Sequence, residues 1–127
     1  MPAARRTSGF TIIELLVVMA ALGLLLSIVA PRYVNHVDQA RESVLRQNLS
    51  SLREAIDKFY ADRARYPADL QELVAERYLR EVPLDPVTDR HDSWVLVAPR
   101  NHKQGAVADV RSGAPGRAKD GSSYATW

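Results

Sequence analysis

IIELLVVMAALGLLLSIVA, residues 12–30, decides how this chain is read. As a helix rising 1.5 Å per residue, the run approaches the roughly 30 Å hydrocarbon core of a bilayer. Arg5 and Arg6 stand just ahead of it, and the positive-inside rule keeps such a flank in the cytoplasm. Everything after Ala30 is then expected on the other side. A secretory signal peptide is the bland alternative. It fits poorly, because Ile28 stands where a small residue is wanted, Pro31 would follow the cut, and the run exceeds the usual ~7 to 15 residues. A plain single-pass anchor fits the length but leaves Glu14 unexplained. A carboxylate costs ~2 to 3 kcal/mol at mid-bilayer and less toward the interface, so it calls for a partner. A cut after Gly9 would create one, the amine of Phe10. That amine would lie one turn from Glu14 in the same helix, or meet the carboxylate of a staggered neighbour.

Outward from this segment, composition narrows the choices. The 127 residues allow one domain and no multidomain enzyme. Cysteine is absent, which removes disulfides, thiolate metal sites and a cysteine nucleophile. Of 17 basic residues two fall in the first nine, leaving 15 basic and 15 acidic groups in the remainder. No basic patch interleaved with aromatics exists, so nucleic acid is not an expected partner.

Pro31 removes one helical hydrogen bond and predicts a bend if the helix continues. Continuation is expected to about Asp62, roughly 80 Å from Phe10. Val37, Ala40, Val44, Leu45, Leu49, Leu52, Ile56, Phe59 and Tyr60 recur at spacings of three and four, with Asp38, Arg41, Glu42, Arg46, Gln47, Arg53, Glu54 and Asp57 opposite. The stripe suits packing on a small sheet better than a coiled-coil seam. Tyr66-Pro67 is expected to stop the helix. A second helix is predicted over residues 68–78, with Leu70, Leu73, Val74 and Tyr78 inward. Val82-Pro83-Leu84-Asp85-Pro86 reads as a rigid turn. Strands are predicted over 93–98 and 106–110, joined by a polar hairpin-like connection. The tail from Arg111 is rich in Gly, Ser and Ala and needs anchors; Tyr124 and Trp127 serve as packing residues. The fold expected is α+β.

Ser8-Gly9-Phe10-Thr11-Ile12-Ile13-Glu14-Leu15-Leu16-Val17-Val18 resembles the processing site of type IV pilins and type II secretion pseudopilins. The resemblance implies a leader of residues 1–9, cleavage by a prepilin peptidase between Gly9 and Phe10, and N-methylation of Phe10. It further implies a filament-core and membrane helix over 10–30, a periplasmic domain over 31–127, and roles in assembly for Glu14 and Pro31. Tyr66-Pro67, Tyr78-Leu79, Val82-Pro83-Leu84-Asp85-Pro86 and Asp109-Val110-Arg111-Ser112-Gly113 are similar, in order, to elements of the G-type major pseudopilin. That likeness implies a pilin-like fold, a homopolymer growing in the periplasm from the inner membrane, and export of folded proteins across the outer membrane. The implied partners are an assembly ATPase complex, an inner-membrane platform protein and minor pseudopilins. A type IV pilin or minor pseudopilin, serving adhesion, motility or DNA uptake, is the nearest alternative, and a membrane-anchored periplasmic binding module the more distant one.

The G-type likeness also implies calcium. Asp109, Ser112, Asp120 and Ser122 are the candidate ligands, with backbone carbonyls completing a shell of six to eight oxygens. The chain departs from the family pattern here. Ala-Pro-Gly-Arg-Ala-Lys separates Gly113 from Asp120-Gly121, Arg117 and Lys119 bring positive charge, and the usual acidic loop is missing. The alternative is that Asp109 and Asp120 cap turns. No enzymatic constellation is read: His36, His91 and His102 lack paired metal spacing and are expected to be solvated, and Ser112-Gly113 lacks the glycines of a nucleophile elbow.

Overall fold

A computed structural model describes residues 8–127. The elements in order are α1 (Ile12–Arg63), α2 (Leu70–Ala75), β1 (Val95–Val97) and β2 (Asp109–Arg111), with single 3-10 turns at His102–Gln104 and Tyr124–Thr126. The chain divides into two compact units, Met1–Val37 and Asp38–Trp127. In the first, α1 is long and apolar enough to cross a membrane. Residues 12–36 are all exposed among the described residues, Ile12 at 80% and Leu24 at 66%. Pro31 does not interrupt α1.

The second unit is an α+β domain whose core is the expected stripe. Leu45, Leu49, Leu52, Ile56 and Phe59 are buried against Leu70, Leu73, Val82, Trp94, Val107 and Val110. Each such side chain contributes ~1.5 to 3 kcal/mol by leaving water. Four residues expected in the stripe stay outside this core: Ala40 and Val44 are exposed and Val37 and Tyr60 only partly buried, while Ala55 is buried in it.

Helix α1 ends where Ala64 turns to φ 55° while its amide still bonds the carbonyl of Tyr60 at 2.8 Å. The helix thus ends at Arg63, beside the expected Asp62 and ahead of Tyr66-Pro67. Helix α2 is shorter than the predicted 68–78. Asp69 caps its start by accepting the amide of Glu72 at 2.8 Å. Its end is a Schellman closure, with Arg77 at φ 65° bonding Val74 O and the amide of Tyr78 reaching Leu73 O. Tyr78 still turns inward, its ring edge-on to Phe59 at 5.3 Å.

Strands β1 and β2 pair antiparallel, with Leu96 opposite Val110. Both are shorter than predicted, and the second lies further along than 106–110. The reason is a competing acceptor: the amides of Ala106 and Val107 bond the carbonyl of Pro67, and only Ala108 returns to Val97. At the other end, Gly113 passes so close to Ser93 that a Cβ would stand 1.9 Å from its carbonyl oxygen.

Candidate functional site

The processing segment lies at the start of α1. Gly9 and Phe10 precede the helix, and Phe10 is 86% exposed. Thr11 and Glu14 bond reciprocally: the Glu14 amide donates to Thr11 Oγ1 at 3.2 Å, and the Thr11 amide donates to Glu14 Oε2 at 3.5 Å. This is a capping box, which satisfies two of the helix's orphan amides. Sequence reading assigned Glu14 only to the Phe10 amine and missed Thr11, although the Thr-x-x-Glu spacing is itself the signal for such a cap.

The calcium candidates are dispersed among protein partners. Asp109 Oδ1 accepts from Arg53 Nε at 2.9 Å and from the amide of Val110 at 2.8 Å. Ser112 is buried; its hydroxyl donates to Asp85 Oδ2 at 2.6 Å and accepts the amide of Ala114. Asp120 and Ser122 do come together, the carboxylate accepting both the amide and the hydroxyl of Ser122. The Ser122 hydroxyl first, and its amide next, hold the Asp120 carboxyl below the usual aspartate range. Ser122 Oγ also accepts from the indole of Trp127 at 2.8 Å. Among the described residues, no three His, Asp or Glu side chains converge where an ion could sit. As arranged, this donor set does not fit a calcium shell.

Three residues outside the predicted set organise the domain. Arg53, expected on the solvated side of α1, donates to Asp109 Oδ1, to Val110 O at 3.0 Å and to the main-chain oxygen of Trp127. Glu42, expected on the same side, accepts from the amide of Lys119 at 3.0 Å and the hydroxyl of Tyr124 at 3.1 Å. Burial first, and then Glu42, push the Tyr124 phenol up. Asp85, fully buried, anchors the rigid turn by accepting from the amides of Val87 and Thr88 and from Ser112. The carbonyls around it are pinned in sequence. Val82 O lies 2.9 Å from His91 Nδ1, Pro83 O accepts from the Trp94 indole, and Leu84 O accepts from Asn48. His91 is thus tied to the turn and not merely solvated as expected. Tyr124 and Trp127 pack edge to face at 5.1 Å and rest on the core, as expected.

A membrane-length amino-terminal helix carrying a capping glutamate, continued into a small α+β domain, defines a pilin-like protein. Residues 4–30 match the family model described as the prokaryotic N-terminal methylation motif. The chain is 32% identical over 98 residues to the type II secretion system core protein G of Pseudomonas aeruginosa, covering 65% of this chain and 69% of that one. It is 29% identical over 129 residues to the protein of the same name from Klebsiella michiganensis, covering 88% and 89%. With that of Klebsiella pneumoniae the identity is 30% over 116 residues, covering 79% and 81%. No solved structure matches. The chain belongs to the type II secretion system core protein G family, the pseudopilins.

Proposed function

We propose that this chain is the repeating structural subunit of a type II secretion pseudopilus. In this reading a prepilin peptidase removes residues 1–9 on the cytoplasmic face and the Phe10 amine is methylated. The segment 10–30 holds the subunit in the inner membrane, amino terminus inside, with the domain from residue 31 in the periplasm. Polymerisation then moves α1 from lipid into a filament core, where its apolar surface is reburied against neighbouring copies, so extraction need not expose it to water. An assembly ATPase and a platform protein supply the work, minor pseudopilins join the fibre, and the subunit's own role is structural. The similarity to core protein G over 88% of the chain, beside the methylation-motif match at residues 4–30, carries the proposal.

Processing tests it directly. Mass analysis of the protein from its native envelope should show a chain beginning at Phe10 with one added methyl group. Replacing Gly9 with a bulkier residue should leave a slower-migrating precursor. Retention of the first nine residues in the unaltered protein would overturn the reading in favour of a tethered periplasmic module.

A further inference from the structure

We propose that arginine guanidinium groups, Arg53 foremost, cross-link the carboxy-terminal loop of this chain in place of a metal ion. A dication would need six to eight oxygens drawn from carboxylates, carbonyls and water. The protein oxygens that could supply them already have partners, most of them arginine side chains. Arg53 joins α1 to the Asp109 carboxylate, the Val110 carbonyl and the Trp127 main-chain oxygen. Arg117 donates to Gly121 O at 3.1 Å, and Arg111 to Ala125 O at 3.5 Å. Arg46 stands 3.5 Å from Asp120 Oδ2 and lies over the Trp127 ring, 4.3 Å from its centroid. Ser112 is committed to the buried Asp85.

The planar guanidinium suits this work, because its donors diverge in a fixed fork and can bind a carboxylate and carbonyls from separate segments at once. Arg53 and Asp109 are 36% and 40% exposed, so the ion pair by itself contributes little. The holding comes from one cation tying β2 and the loop's far end to the same turn of α1. A calcium ion entering here would displace Arg53 or sit beside it, leaving either unpaired donors or opposed positive charges. The inserted Ala-Pro-Gly-Arg-Ala-Lys segment, awkward for a calcium loop, supplies Arg117 to this arrangement. The inference concerns the folded domain and does not depend on polymerisation.

The test is thermal melting of the full chain in detergent micelles, followed by tryptophan emission, with calcium chloride or with a calcium chelator, alongside limited proteolysis of the loop after Arg111. Midpoints in the two buffers should coincide within about 2 °C. Arg53→Met, which keeps an unbranched apolar stem, should lower the midpoint by about 4 to 8 °C and speed cleavage of the loop. Arg53→Lys keeps charge without the fork and should lie below the parent, again without a response to calcium. That milder variant decides the matter if Arg53→Met does not fold. A larger calcium-dependent rise in the parent, or Arg53 variants that melt with the parent and protect the loop equally, would overturn the proposal. Either outcome is independent of whether processing occurs at Gly9.

Discussion

Asp85 shows how much one side chain can fix in a small domain. It has no solvent exposure, yet it is an acid in a core made mostly of aliphatic groups. Its carboxylate is tolerated because two amides of its own turn and the hydroxyl of Ser112 saturate it. Removing it would loosen the turn and leave the buried Ser112 hydroxyl proton without its acceptor. Asp85→Ala should therefore destabilise the domain by roughly 3 kcal/mol, within the range for buried bonds to a charged group. Urea unfolding of the parent and variant checks this; a difference below about 0.5 kcal/mol, the scale of surface substitutions, would show that the carboxylate does not hold the turn. The sequence marked this stretch as rigid from its prolines alone. It gave no sign that the aspartate between them faces inward, since that depends also on a partner, Ser112, 27 residues away.

At the scale of elements, the ends of helices proved more informative than their middles. Helix α1 stops at a residue in the left-handed region, Ala64, where an alanine Cβ crowds the backbone and glycine does not. Ala64→Gly should raise stability by about 1 kcal/mol, read as an upward shift in the urea midpoint; a lowered midpoint would show that this turn is not strained. The loop that follows is tied back by ion pairs from Arg65 to Glu72 and from Arg63 to Glu76, both at 2.6 Å. Arg65, with the Ala68 amide next, holds the Glu72 carboxyl below the ordinary glutamate value of 4.5. Helix positions were legible because apolar spacing of three and four repeats over several turns. Strand positions were less so. The start of β2 was moved by a carbonyl at Pro67, distant in sequence, which no local pattern announces.

At the scale of the whole molecule, the first unit has its described apolar side chains exposed, and the second contains a buried core. That division matches a subunit whose domain folds by itself while its amino-terminal helix relies on lipid or neighbouring copies. In the proposed assembly, Glu14 is the residue on which the exchange between those surroundings turns. Within one chain its carboxylate already caps the helix through Thr11. In the proposed filament, a neighbour's methylated amine would offer a charged partner instead, one available only on assembly. Glu14→Leu should insert into the inner membrane and be processed at parental levels, while its recovery in sheared fibres falls at least tenfold, a loss of about 1.4 kcal/mol in the assembly step. Fibres containing the variant at parental levels would remove Glu14 from assembly.

Sequence by itself determined the membrane-length segment, the processing motif, the extent of α1 and the stripe that becomes the core. These depend on residue type and short-range spacing, which hydropathy and backbone geometry read directly. Only the tertiary structure decided how the domain closes. Arg53 and Glu42 look like solvent residues on a helix until the carboxy-terminal loop is brought across them, and Asp109 and Ser112 look like metal ligands until Arg53 and Asp85 are found bonded to them. A side chain's chemistry is written in the sequence, but its partner is chosen by the path of the chain.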